Sequence, residues 1–193
     1  MSNIATIDFE TYFDSKAKYG LRTMTTEEYL RDRLYQTIGV AVKLAGGPTQ
    51  WFAGSELEIG LWLQQFNLHE KAVIAHNAMF DMGILNWKFG IRPKLIIDTM
   101  SMARGYVGLD TSCSLLKLGE YFGLPMVKGD DTRWADGLMR QDFSPAQMAQ
   151  YGRYCCNDVD MTWLLFQKLA PHVMDSEMKL IDWTIRCFSE PKF

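Results

Sequence analysis

The chain has 193 residues, 48% hydrophobic and 22% charged, values of one ordinary globular domain long enough to bury a core without disulfide or metal support. Its net charge of −3 excludes the broad basic surface of a protein that grips duplex DNA electrostatically, although carboxylates neutralised by divalent ions leave nucleic acid open by another route. No apolar run is long enough to span a bilayer, and with a strand-like run directly after residues 1–3 export is not expected. Cys113, Cys155, Cys156 and Cys187 lack C-x-x-C spacing, so a cytoplasmic monomer with reduced thiols and no membrane partner is expected.

Residues 3–9 alternate apolar and polar in strand fashion, and the β-branched run 37–44 is expected to pair with them. The insert between them, residues 12–33, carries Lys16, Lys18, Arg22, Arg31 and Arg33, and Thr25-Thr26-Glu27-Glu28 predicts a capped helix start. Gly46-Gly47-Pro48 makes a turn into a third strand at 49–52. From Ser55 the positions Leu57, Leu61, Leu63 and Phe66 predict a helix, followed by a buried strand at 71–75, a helix at 78–89 ended by Gly90, and a strand at 95–97. Residues 113–122 predict another helix and 126–143 a loop. Ser144-Pro145 opens a long helix to Leu169, and a last helix follows Pro171 to about Ser189, after which residues 190–193 leave the helical pattern. Three antiparallel strands followed by β-α-β crossovers predict an α/β fold with a mixed sheet flanked by helices, within a single domain over the whole length.

Asp8 and Glu10 lie two apart in a strand, so both carboxylates project from one face while Phe9 points into the core. Asp81 follows a short apolar strand in the first turns of a helix, where α/β sheets build their sites. Tyr154 and Asp158 are four apart on the long helix and share a face, with Cys155 and Asn157 expected to turn away. Each has a plainer reading when taken singly: solvated surface charge, a carboxylate on a helix dipole, a buried phenol. Asn77 reads equally as a helix cap, His76 as a satisfied strand-end histidine, and Asp160 as surface or structural.

Asp8-Phe9-Glu10-Thr11, His76-Asn77-x-x-Phe80-Asp81 and Tyr154-x-x-x-Asp158, in that order, resemble the three exonuclease motifs of the DEDD superfamily, tyrosine subclass. Residues 19–32 and 98–104 look like proofreading domains of phage-type family A DNA polymerases, and 180–193 resembles the segment leading into the polymerase. The resemblance implies a ribonuclease H-like five-stranded sheet and a 3′→5′ exonuclease that acts on single-stranded DNA 3′ ends, with a polymerase domain linked or associated. It implies two ions, Mg²⁺ or Mn²⁺, one held by Asp8, Glu10 and Asp158 and the other by Asp8 with Asp81. Tyr154 would orient the attacking water, because an unperturbed phenol keeps its proton at neutral pH. Thr11, His76, Asn77 and Phe80 would contact the terminal nucleotides. The alternatives are a ribonuclease of the same superfamily and a catalytically silent nucleic-acid-binding scaffold.

Overall fold

Strand β1 (Ile4–Thr11) forms the centre of a five-stranded sheet. It pairs antiparallel with β2 (Thr37–Leu44), which pairs antiparallel with β3 (Thr49–Ala53). On its other side β1 runs parallel to β4 (Ala72–Ala75), and β4 runs parallel to β5 (Leu95–Asp98), giving the order β3-β2-β1-β4-β5. This computed structural model describes residues 3–108, 111–125 and 132–190. The mixed sheet is the one the hydrophobic pattern predicts. Residues 126–131 of the expected loop and 191–193 of the expected tail lie outside the described residues.

Seven α-helices are found among the described residues: α1 (Thr26–Arg31), α2 (Glu56–Gln64), α3 (Met79–Phe89), α4 (Thr99–Val107), α5 (Leu115–Tyr121), α6 (Pro145–Leu169) and α7 (Asp175–Ser189). Helix α1 starts on the predicted capping box, with Thr25 and Glu28 satisfying each other's backbone N–H groups. Ser144 and Gln147 do the same for α6, with Pro145 in its first turn. Gly90 ends α3 at φ 66°, a left-handed position that suits glycine.

Three expectations are corrected. In α2, Leu57 and Leu61 are 73% and 59% exposed while Ile59 and Leu63 are fully buried, so the inward face is rotated from the one predicted. Helix α4 was not anticipated, because its core positions Met102 and Ala103 sit among polar and glycine residues that blur the helical period. Part of the expected 126–143 loop is two 3₁₀ turns, Thr132–Ala135 and Arg140–Asp142.

The long helix α6 lies across β1, β2 and β3, and its approach depends on two glycines. A Cβ on Gly152 would sit 2.5 Å from the Trp51 ring, and one on Gly39 2.3 Å from that same ring. Trp51 therefore wedges between sheet and helix, in space that only glycine leaves. Asp160 confirms its structural reading: it forms an ion pair with Lys43 at 3.0 Å and accepts a hydrogen bond from Thr49, tying α6 to β2 and β3. Helix α7 docks on the sheet edge, where Asp182 accepts the Ile96 amide at 2.7 Å and Arg186 donates to the carbonyls of Pro93 and Lys94. No described helix is long and apolar enough to cross a membrane.

Candidate active site

Parallel pairing between β1 and β4 stops at Thr6↔Ile74, so β1 continues beyond its neighbour and leaves its last residues unpaired on that side. Asp81, in the first turn of α3, fills part of this gap. Its Oδ1 accepts the backbone N–H of Phe9 at 3.1 Å, and the residue is only 1% exposed. The adjacent residues Asp8 and Glu10 turn the opposite way from Phe9, whose ring stacks on Phe89 at 5.7 Å in the core.

Helix α6 brings a stripe of four residues over these carboxylates. Tyr151, Tyr154, Cys155 and Asp158 follow i, i+3, i+4, i+7 spacing and share one face. The Tyr154 phenol lies near enough to Asp158, and that of Tyr151 to Glu10, to favour the carboxylate anion. The Cys155 thiol donates to Asp8, with Sγ 3.4 Å from both the Asp8 carboxylate Oδ2 and its main-chain carbonyl. Cys155 is fully buried, so the expectation that it turns away is wrong. Successive helical residues are separated by only 100°, and Cys155 flanks the site face beside Tyr154. Tyr151 was also missed, although the same spacing would have placed it.

Burial and mutual repulsion raise the carboxyl groups together. Asp8 is pushed up to about 7, chiefly by burial and next by the Asp158 charge. Asp158 is raised to about 6 by burial, against the Tyr154 hydrogen bond that favours its anion. Glu10 and Asp81 stand well above the usual carboxylate range, first from burial and then from the charge of Asp8. Burial and Asp158 push the Tyr154 phenol up, which keeps it protonated and a donor. Asp8, Glu10 and Asp81 each have another of these acids as strongest charged neighbour, and with Asp158 they form a donor set suited to hard divalent cations. Asp8, Glu10 and Cys155 each present a ligand atom within 4.8 Å of the others.

An acid whose folded pKa is raised holds a proton in the fold that the unfolded chain has released, so stability falls as pH rises between the two values. For Asp8 that window runs from 3.8 to about 7. With a chelator present, the melting temperature is expected to fall between pH 5 and pH 8, and saturating Mn²⁺ is expected to reverse the loss at pH 8. A chelated protein whose melting is flat over this range, or unmoved by Mn²⁺, contradicts it.

The expected nucleotide-contacting residues separate into two groups. Asn77 is exposed and held at φ 64°, and Phe80 is half-buried with its ring 5.9 Å from Tyr29. Asn77 does not cap α3. No side chain caps it; Asp98 holds the turn that leads into it, its Oδ1 accepting the amides of Asn77 at 2.8 Å and Ala78 at 3.2 Å. His76 leaves the expected contact set: Nε2 donates to the Cys113 carbonyl and Nδ1 lies 2.9 Å from the Thr99 hydroxyl, so both ring nitrogens are engaged internally. Thr11 is 8% exposed with its hydroxyl 2.7 Å from that of Tyr29, which leaves only its backbone to offer.

Comparison with known proteins decides the family. The model of a 3′-5′ exonuclease family matches residues 55–174, more than half of the chain. The chain belongs to this 3′-5′ exonuclease family. It is of the DEDD kind, a metal-dependent phosphodiester hydrolase whose members use divalent ions. No curated protein matches it in sequence. Among solved structures it is similar to RNase D of Trypanosoma brucei, at 14% identity and a TM-score of 0.72, over 99% of this chain and 67% of that one. It is similar to Brucella melitensis NrnC with bound Mg²⁺, at 18% identity and a TM-score of 0.57, over 98% of this chain and 85% of that one. A family B DNA polymerase from Pyrobaculum calidifontis matches at 17% identity and a TM-score of 0.57, over 87% of this exonuclease and 24% of the polymerase. At these identities the likeness is one of fold, the ribonuclease H-like mixed sheet of DEDD exonucleases.

Proposed function

We propose that this exonuclease removes nucleotides from single-stranded DNA 3′ ends, as the proofreading domain of a phage-type DNA polymerase does, using Asp8, Glu10, Asp81, Asp158 and Tyr154. The reading is supported by one observation: acids from β1, α3 and α6 lie so near one another that the leading charged neighbour of Asp8, Glu10 and Asp81 is in each case another of the set. Asp8, Glu10 and Asp158 would hold one ion and Asp8 with Asp81 the other, Mg²⁺ or Mn²⁺ being favoured by oxygen donors. Such a pair of ions, when bound, supplies charge stabilisation for the entering and leaving oxygens of an in-line displacement at phosphorus.

The remaining work falls to the chain itself. Tyr154 keeps its proton and therefore orients the attacking water as a hydrogen-bonding group, without serving as a base. Tyr151 and Cys155 hold the Glu10 and Asp8 carboxylates in place. Asp81 lends a carboxylate already fixed to the β1 backbone. Asn77 and Phe80, which lie just before Asp81 in sequence, would meet the terminal nucleotides, where an unpaired base can stack on an aromatic ring without melting a duplex.

Tyr154→Phe is expected to lower kcat by about 10- to 100-fold while Mn²⁺ affinity stays within a few-fold of the parent, the loss of one orienting donor. Loss of metal binding in that variant would show Tyr154 to be a ligand. The substrate is tested by timing the shortening of matched DNA and RNA oligomers with free 3′ hydroxyls in Mg²⁺. Faster cleavage of DNA is expected. A strong preference for RNA would make the chain a ribonuclease, the activity named for the RNase D fold relative, and no cleavage of either would make it a binding scaffold.

A further inference from the structure

Cys155 takes no part in hydrolysis as proposed above beyond holding Asp8, yet its sulfur is placed as a ligand would be. The residue is fully buried, and Sγ lies 3.4 Å from Asp8 Oδ2, inside a group completed by Glu10 with all three donor atoms within 4.8 Å of one another. A tetrahedral ion bound by a thiolate at about 2.3 Å and a carboxylate at about 2.1 Å holds those two atoms about 3.6 Å apart. The observed separation is already close to that span, so capture of an ion needs little movement of either side chain. Thiolate is a soft donor that Mg²⁺ and Mn²⁺ do not seek, whereas zinc-class ions combine it readily with carboxylate.

We propose that Asp8, Glu10 and Cys155 form a binding site for a thiophilic divalent ion of the zinc class, which overlaps the exonuclease site and blocks it when filled. Binding releases the thiol proton to solvent and forms one metal–sulfur bond. The ion then occupies Asp8 and Glu10 in a sulfur-anchored geometry and denies them to the hard ions. The blocking effect rests on the exonuclease reading; the sulfur ligation does not.

The site is tested with Co²⁺ alone, a spectroscopic substitute for Zn²⁺, added to the metal-free full chain under a phosphine reductant. The parent is expected to develop a sulfur-to-cobalt charge-transfer band that saturates with one bound ion. Cys155→Ser is expected to lose the band and to bind Co²⁺ at least roughly tenfold more weakly by calorimetry, with melting that shows it folded. Cys155→Ala provides the same comparison should the serine variant fail to fold. Co²⁺ binding to the parent without the band, no Co²⁺ binding at all, or a band that persists in either variant overturns the proposal. Mn²⁺-dependent cleavage of an oligomer by the parent, assayed beside it, reports on the exonuclease reading separately. Active protein without the band sinks the thiophilic site alone, and a band in inactive protein sinks the exonuclease reading alone.

Discussion

Asp8→Asn is expected to abolish exonuclease activity while making the metal-free protein more stable at pH 8. The asparagine keeps the volume of the side chain and an oxygen to accept the Cys155 thiol hydrogen bond, so packing is preserved. It loses the negative charge that both proposed ions share. An ion at such a site supplies several kcal/mol of transition-state stabilisation, so kcat should fall by about 10³-fold or more. Stability moves the other way, because in the parent this carboxylate is buried against Asp158, Glu10 and Asp81, and each member of the cluster opposes ionisation of the others. Above pH 7 the parent must carry that charge in the fold, and the variant need not. Melting of parent and variant under chelator at pH 8 and pH 4.5 checks this: the variant should melt higher at pH 8, and the gap should close at pH 4.5, where Asp8 of the folded parent is protonated. Activity within tenfold of the parent would remove Asp8 from the proposed site.

Asp98→Ala is expected to cause the largest loss of stability, together with a weakened grip on substrate. Asp98 is 4% exposed and joins two helix starts: Oδ1 accepts amides from Asn77, Ala78 and Met100, and Oδ2 accepts the amide and hydroxyl of Ser101. Alanine strips the cap from α4 and the amide acceptor from the turn into α3 at once. The lost cap costs about 1 kcal/mol and each amide left buried without a partner adds to it, so roughly 2–4 kcal/mol is expected. For a chain of this size that lowers the melting temperature by roughly 5–15 °C. The same turn holds Asn77 at positive φ and leads into Phe80 and Asp81, so KM for a short oligomer should rise even in protein that is fully folded at the assay temperature. Asp98→Asn, which retains one acceptor, should fall between. Alanine melting within two degrees of the parent would show that water replaces these bonds.

Much of the architecture was written in local pattern. The β-branched run of β2, the Thr25-Glu28 and Ser144-Gln147 capping boxes and the Gly90 stop are short-range features whose physics is complete within four or five residues, and each stands where its pattern places it. Helix α2 departs from this, because Leu57 and Leu61 are as apolar as Leu63 and only the sheet against which the helix rests chooses among them. Helix α4 departs for a related reason: its start depends on Asp98, whose carboxylate also serves a helix twenty residues earlier.

The same division runs through the candidate site. The sequence by itself determined which acids could act together, through the two-residue spacing that puts Asp8 and Glu10 on one face and the four-residue spacing that stacks Tyr154 on Asp158. Only the tertiary structure decided that these faces meet across some 147 positions of sequence, that Tyr151 and Cys155 close over the acids, that His76 spends both nitrogens internally, and that Asp81 braces the unpaired edge of β1. The physical reason is desolvation. Spacing along a strand or helix fixes which side chains share a face, but whether that face meets water or other carboxylates depends on the elements packed against it, and that environment turns ordinary acids into a site for cations.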